Sequence, residues 1–254
     1  MNSPILDHPT LSSQYFYPWP NHFEHPFFVE GNGFRLGCKY NKTNGQWPTI
    51  IHFHGNGESV ADYLGEFEQR VAELGANLLL AEYRGYGMSS GEPALTAMLD
   101  DVRLIVEASG LAPEKIIFFG RSLGSLYAVH GAALYPEAAG LIVESGVADP
   151  MERILVRTEP RQVGATMAQL REEVDACFNQ QKKIASFKGG VLIMHTRNDD
   201  LVSVSHAQRL HEWATGHKEL LIFERGDHNN ILAVNEKAYF AAMGKFLRGL
   251  TAAE

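Results

Sequence analysis

The chain has only two cysteines in 254 residues, Cys38 and Cys177, and they stand far apart. That count excludes a disulfide-stapled scaffold and suits reduced, buried thiols in a cytoplasmic protein, with a single bridge still compatible with it. No uncharged apolar run approaches the roughly 18–20 residues that span a bilayer, so no stable membrane insertion is expected. The opening stretch MNSPILDHPTLSSQ lacks a basic n-region and an apolar h-region, so no secretory signal is read there. Basic runs are missing too. With 22 Lys+Arg against 30 Asp+Glu and a formal net charge of -8, the chain offers no phosphate footprint, and no nucleic-acid partner is expected. Internal repeats and low-complexity tracts are absent, and nothing in the pattern specifies an oligomeric state.

What is present is the composition of an ordinary globular protein, 45% hydrophobic and 20% charged, able to bury a sizeable core. Residues 1–26 are rich in Pro, His and aromatics without sustained periodicity, and read as an extended segment docked on the surface of a single domain covering 1–254. Phe27–Glu30 and Phe34–Tyr40 flank Gly31-Asn32-Gly33 and read as an antiparallel hairpin. From Thr49 onward short apolar runs alternate with helix-length amphipathic stretches, the signature of an α/β fold with a parallel sheet covered on both faces. The expected strands are Thr49–His54, Asn77–Tyr83, Lys115–Gly120, Gly140–Ser145, Gly190–His195 and Glu219–Glu224. Helices are expected over Val60–Leu74, Ala94–Ser109, Leu123–Leu134, Ser205–Ala214 and Leu232–Gly249. The interval 146–189 is too long for a simple crossover and reads as a small helical cap insertion. Its stripe Met167, Leu170, Val174, Phe178 suits packing against the domain or an apolar lining over the mouth of a site.

The stretch KIIFFGRSLGSLYAVHGAALYP, Lys115–Pro136, breaks its apolar run at Gly120-Arg121-Ser122-Leu123-Gly124 and resumes with helical spacing. A G-x-S-x-G turn between a buried strand and a helix is the nucleophile elbow, whose strained backbone exposes the serine Oγ above the sheet. Gly87-Met88-Ser89-Ser90-Gly91 matches the same pattern. Its apolar run, however, ends several residues earlier, which places Ser89 in a loop and favours Ser122.

A serine hydroxyl is a weak nucleophile at neutral pH, so Ser122 needs a histidine to take its proton and a carboxylate to orient that histidine. Both should follow later strands, the acid before the histidine. Asp199 follows the strand ending at His195, and His228 sits in the glycine-containing loop after Glu224. Asp200 and Asp149 are the competing carboxylates, and Asp227 suits loop shaping. An oxyanion hole would use the backbone N–H of Leu123 and of Asn56, the latter in the flexible His54-Gly55-Asn56-Gly57 loop. His52-Phe53-His54, with His195 and His206, raises the question of a metal, but no H-x-H-x-D-H continuation follows and none is assigned. Arg84 suits a brace bonded to loop carbonyls, and Arg121 either a surface residue or an arm for a carboxylate.

Five motifs in order, HFHGNG (His52–Gly57), EYRGYGMSSG (Glu82–Gly91), GRSLGS (Gly120–Ser125), HTRNDDLV (His195–Val202) and GDHNN (Gly226–Asn230), resemble the α/β-hydrolase superfamily. More narrowly they are similar to its small single-domain esterases and depalmitoylating thioesterases, and the resemblance runs from about Phe27 to the C-terminus. It implies a mostly parallel eight-stranded sheet flanked by helices, a mobile cap, and a serine hydrolase with Ser122, Asp199 and His228 at the catalytic positions and no cofactor. Thr196 stands where glycine is more usual. The N-terminal cysteine cluster of eukaryotic depalmitoylases is absent, so their membrane location is not implied. The expected substrate is a small-molecule carboxylic ester or acyl thioester. The alternatives are a peptidase or amidase, an acyltransferase, and a ligand-binding protein that has lost the chemistry.

Overall fold

The computed structural model describes residues 3–251, so Met1, Asn2 and residues 252–254 of the expected single domain lie outside the described residues. Eight strands form one sheet: β1 (Phe27–Glu30), β2 (Arg35–Asn41), β3 (Thr49–Phe53), β4 (Asn77–Ala81), β5 (Ile116–Arg121), β6 (Gly140–Glu144), β7 (Gly190–Thr196) and β8 (Lys218–Phe223). Their spatial order is β1-β2-β4-β3-β5-β6-β7-β8. The first hairpin joins β4 antiparallel, and β3 to β8 are parallel. The helices are α1 (Pro9–Tyr15), α2 (Glu66–Glu73), α3 (Ala97–Ser109), α4 (Gly124–Leu134), α5 (Pro150–Ile154), α6 (Met167–Phe178), α7 (Gln180–Ser186), α8 (Val204–Trp213) and α9 (Ile231–Thr251).

The central strands read as unbroken apolar runs because each is buried on both faces. Along β5, Ile116 and Phe118 enter one core layer and Ile117 and Phe119 the other. Strand β6 repeats the division, Leu141 and Val143 on one side and Ile142 on the other. Parallel strands covered on both faces present their carboxyl ends along one edge, where ligands of such sheets bind. The ends of β3, β5, β7 and β8 all feed the site described below.

Two expectations are corrected. The N-terminal segment is not extended throughout: Pro9–Tyr15 is helical, with Pro9 at the first position and the His8 Nδ1 accepting from the Thr10 N–H at 3.1 Å. Leu11 and Tyr15, four residues apart, are its buried face. The helix expected over Val60–Leu74 is divided, a short 3-10 turn at Val60–Tyr63 preceding α2. Gly65 between them takes a left-handed φ of 82°, and the Glu68 carboxylate accepts its N–H at 2.9 Å. Within 146–189 the stripe of α6 takes the first of its two readings, packing against the domain. Leu170, Val174 and Phe178 join the core layer that holds Leu141 and Val191, while Met167 is exposed. Among the described residues no helix is long and apolar enough to cross a membrane.

Candidate active site

Ser122 occupies the corner between β5 and α4 with a φ of 50°, a left-handed conformation that a non-glycine residue adopts only under restraint. The restraint is visible. Its N–H donates to Glu144 O at 2.8 Å, and its carbonyl accepts the Ser125 N–H at 3.1 Å and the Ser125 hydroxyl at 2.6 Å. The flanking glycines allow the close return of the helix: a Cβ on Gly124 would lie 2.0 Å from Phe53 O, and one on Gly120 would lie 2.4 Å from Gly124 O.

Ser122, His228 and Asp199 form one hydrogen-bonded line. The Ser122 hydroxyl stands 2.9 Å from His228 Nε2, and His228 Nδ1 stands 2.7 Å from Asp199 Oδ2. The other Asp199 oxygen accepts the N–H groups of Leu201 at 3.0 Å and Val202 at 2.7 Å. Burial alone would raise the Asp199 pKa, but the His228 hydrogen bond and charge, with the Val202 N–H, outweigh it and hold the carboxyl below its usual range. His195 lies behind, its Nε2 2.8 Å from Val202 O and 3.3 Å from Asp199 Oδ2. A carbonyl can only accept, so that nitrogen carries the proton, and burial lowers the pKa of the ring. A histidine oriented in this way by a carboxylate can take a serine proton and return it to a leaving group.

Asn56 and Leu123 both border the cavity of about 250 Å³ into which Ser122 opens. Among the described residues no acceptor takes the N–H of either. The Asn56 side chain pins its loop: Oδ1 accepts the Tyr86 hydroxyl at 2.8 Å and the Tyr17 N–H at 3.3 Å, and the Nδ2–H donates to Tyr15 O. Beneath it His54 bridges Gly55 O at 2.8 Å and Glu82 at 2.6 Å. The carbonyl can only accept, so Nδ1 carries a proton, and the carboxylate at hydrogen-bond distance favours a proton on Nε2 as well. Burial alone would lower its pKa, but Glu82 reverses the sign and the net shift is upward.

Arg121 is neither a surface residue nor an open arm for a carboxylate. It is buried, with Nε donating to Glu144 at 3.0 Å, Nη1 paired with Glu58, and Nη2 donating to His228 O at 2.8 Å. The Tyr239 hydroxyl donates to the other Glu144 oxygen. This network ties the histidine loop to the sheet beside the elbow, and the residue pattern gave one hint of it. Arg121 and Glu144 are the charged ends of two otherwise apolar neighbouring strands and are direct register partners.

The competing residues go elsewhere. The Ser89 hydroxyl accepts the Gly37 N–H at 2.9 Å, bracing β2. Asp149 caps α5 through the Met151 N–H, Asp200 is exposed, and Asp227 closes its own loop on Asn229 and Asn230. Arg84 braces less through a carbonyl than through Asp101, at 2.8 and 2.6 Å. His52 packs against Tyr63, Phe67 and Phe119, and among the described residues no three His, Cys, Asp or Glu side chains are grouped to hold a metal ion. The sequence pattern did not reveal that Tyr15 and Tyr17, from the N-terminal segment, and Arg153 and Arg157, from α5 and the turn after it, also line the cavity.

Such a corner over a mostly parallel sheet marks the α/β-hydrolase fold, and the comparisons with known proteins agree. Residues 47–174 match the family model described as serine aminopeptidase, S33. The chain belongs to this family of α/β-hydrolases. It is 27% identical over 204 residues to "Alpha/beta hydrolase domain-containing protein 17C" of Xenopus tropicalis, covering 77% of this chain and 61% of that protein. The chain thus spans less than two thirds of the length of the curated relatives it matches. The Pyrococcus furiosus esterase Pf2001 superposes with a TM-score of 0.69 at 20% identity, over 92% of this chain and 98% of that one. Est1E from Butyrivibrio proteoclasticus, solved with ferulic acid bound, gives 0.70 at 18% identity, over 87% and 99%. At those identities the two structures establish the fold.

Proposed function

We propose that this protein is a serine hydrolase that cleaves a carboxylic ester or acyl thioester of a small molecule through an acyl-enzyme intermediate. The observation that carries the reading is the Ser122–His228–Asp199 line at a strained strand-to-helix corner. Ser122 Oγ attacks the carbonyl carbon while His228 Nε2 takes its proton. Asp199 holds Nδ1–H and stabilises the imidazolium. The N–H groups of Asn56 and Leu123 receive the developing oxyanion, and His228 returns the proton to the departing alcohol or thiol. Water, activated by the same histidine, then releases the acid. No cofactor enters the scheme. The helices of 146–189 act as a small cap on this one domain, and the two free, buried cysteines suit a reducing, cytoplasmic setting. Burial pushes the Cys38 thiol up to about 12, which keeps it unreactive.

The family description raises a peptidase reading, and the cavity argues against its aminopeptidase form. A substrate ammonium needs a free carboxylate, whereas the one carboxylate among the lining residues, Glu58, is already paired with Arg121 and accepts the Gly55 N–H and the Tyr63 hydroxyl. A labelled fluorophosphonate should react with the wild type and not with Ser122→Ala, alongside turnover of p-nitrophenyl esters and acyl thioesters. Persistent labelling of Ser122→Ala would overturn the assignment, and its loss in Ser89→Ala would transfer it.

A further inference from the structure

The cavity holding Ser122 is cationic in a protein whose net charge is -8. Three arginines, Arg121, Arg153 and Arg157, line it against the single carboxylate of Glu58. Arg121 is committed to Glu58 and Glu144. The other two have no carboxylate partner among the described residues. Arg153 Nη1 donates to Leu201 O, and Arg157 Nη1 donates to Tyr15 O at 3.3 Å while its guanidinium lies 4.9 Å from the centre of the Tyr17 ring. Carbonyl and ring contacts fix the position of a guanidinium without neutralising it. Each therefore keeps its full charge and most of its five N–H donors in the lining of the cavity into which Ser122 opens. Arg153 is half-buried and Arg157 exposed, so this positive charge stands where the cavity meets solvent and can receive an anion without the full cost of burying it. At about 250 Å³ the space lies below the roughly 300–1,000 Å³ of sites for larger ligands, so the anion and the scissile carbonyl would share a small volume.

We infer that the substrates are small esters or thioesters carrying an anionic group, a carboxylate or a phosphate, close to the scissile carbonyl, and that Arg153 and Arg157 bind that group. The planar fork of arginine suits both anions. This rests on the serine-hydrolase reading above.

The test compares kcat/KM for matched pairs of esters: p-nitrophenyl hemisuccinate against its methyl ester, and p-acetoxyphenyl phosphate against its dimethyl ester. At least one anion should be favoured over its neutral partner by roughly 10- to 100-fold, the worth of one charge-assisted hydrogen bond. The pair showing the preference identifies the anion. In Arg153→Gln/Arg157→Gln that ratio should fall to near one, and Arg153→Lys/Arg157→Lys should restore part of it. Added sodium chloride should erode the ratio in the wild type, a reading that needs no variant to fold. Ser122-dependent hydrolysis in which neutral esters match or exceed both anions, or a ratio unmoved by the glutamine pair, overturns this inference alone. No hydrolysis of any ester together with a Ser122 that resists fluorophosphonate overturns the hydrolase reading and this inference with it.

Discussion

Replacing Arg121 by methionine should cost about 3–5 kcal/mol of folding stability at neutral pH, the usual penalty for stranding a buried charge. The structure sets the size. The guanidinium is shared by Glu144, Glu58 and the carbonyl of His228, and Glu144 is only 3% exposed. Without Arg121 its nearest remaining partner is the Tyr239 hydroxyl. In a domain of this size the loss corresponds to a fall in Tm of roughly 6–20 °C. The cost should also depend on pH. Burial already raises the Glu144 pKa, with Arg121 the largest opposing influence, so removing Arg121 lets it climb further and Glu144 takes up a proton in the folded state. A folded pKa above the unfolded value of about 4.3 gives stability that is complete below that value and disappears as the pH rises through the folded one. The deficit of Arg121→Met should therefore be smallest near pH ~4–5 and widen toward pH ~8. Urea unfolding followed by tryptophan fluorescence at the two ends of that range, for Arg121→Met, Glu144→Gln and the double variant, measures both the cost and the coupling. The double variant should recover part of the loss. A cost below about 1 kcal/mol at the higher pH, or one equal at both, would refute the reasoning.

Three further outcomes are expected. Gly124→Ala should lose at least about 1–3 kcal/mol and its fluorophosphonate labelling, because the added methyl meets the backbone carbonyl of Phe53 and no flexible side chain can give way; an unchanged melting curve would contradict this. Asn56→Ala removes the acceptor of the Tyr86 hydroxyl and the Tyr17 N–H, and should lower kcat toward the roughly 10²–10³-fold limit for a lost oxyanion donor, far more than it alters Tm. Asp199, whose folded pKa is depressed, adds stability that is present above its unfolded value of about 3.9 and is lost as the pH falls through the folded value. Denaturant unfolding across pH ~3–7 should therefore show the gap between wild type and Asp199→Asn closing at the acid end.

The strands were readable because two-sided burial writes each as an apolar run, Ile116–Phe119 being the clearest, and because side-chain chemistry punctuates their ends. Ser122, Asp199 and His228 each follow such an end, so their neighbourhood was legible from order and spacing alone. The surroundings of the line were not. Helix α1 is one short stretch capped by a histidine, an uncommon capping residue, and its stability comes from docking Leu11 and Tyr15 rather than from local propensity. Arg121 looks like any charged residue after a strand until the register sets it beside Glu144, and only the folded chain brings His228 O within its reach. The α6 stripe shows the converse ambiguity. Apolar spacing marks a buried face without saying whether a core or a cavity covers it.

Tyr15 and Tyr17 form one wall of the cavity, and Trp19 fastens the segment by donating from its indole nitrogen to Gly57 O at 3.0 Å. The boundary of the sheet and the boundary of the candidate site are therefore different places. Anyone trimming the chain to begin at β1 would keep every strand and all three residues of the hydrogen-bonded line. The trimmed protein would have an unroofed site and an Asn56 loop without its clasp. Whatever such a protein bound would say little about what the parent's cavity accepts.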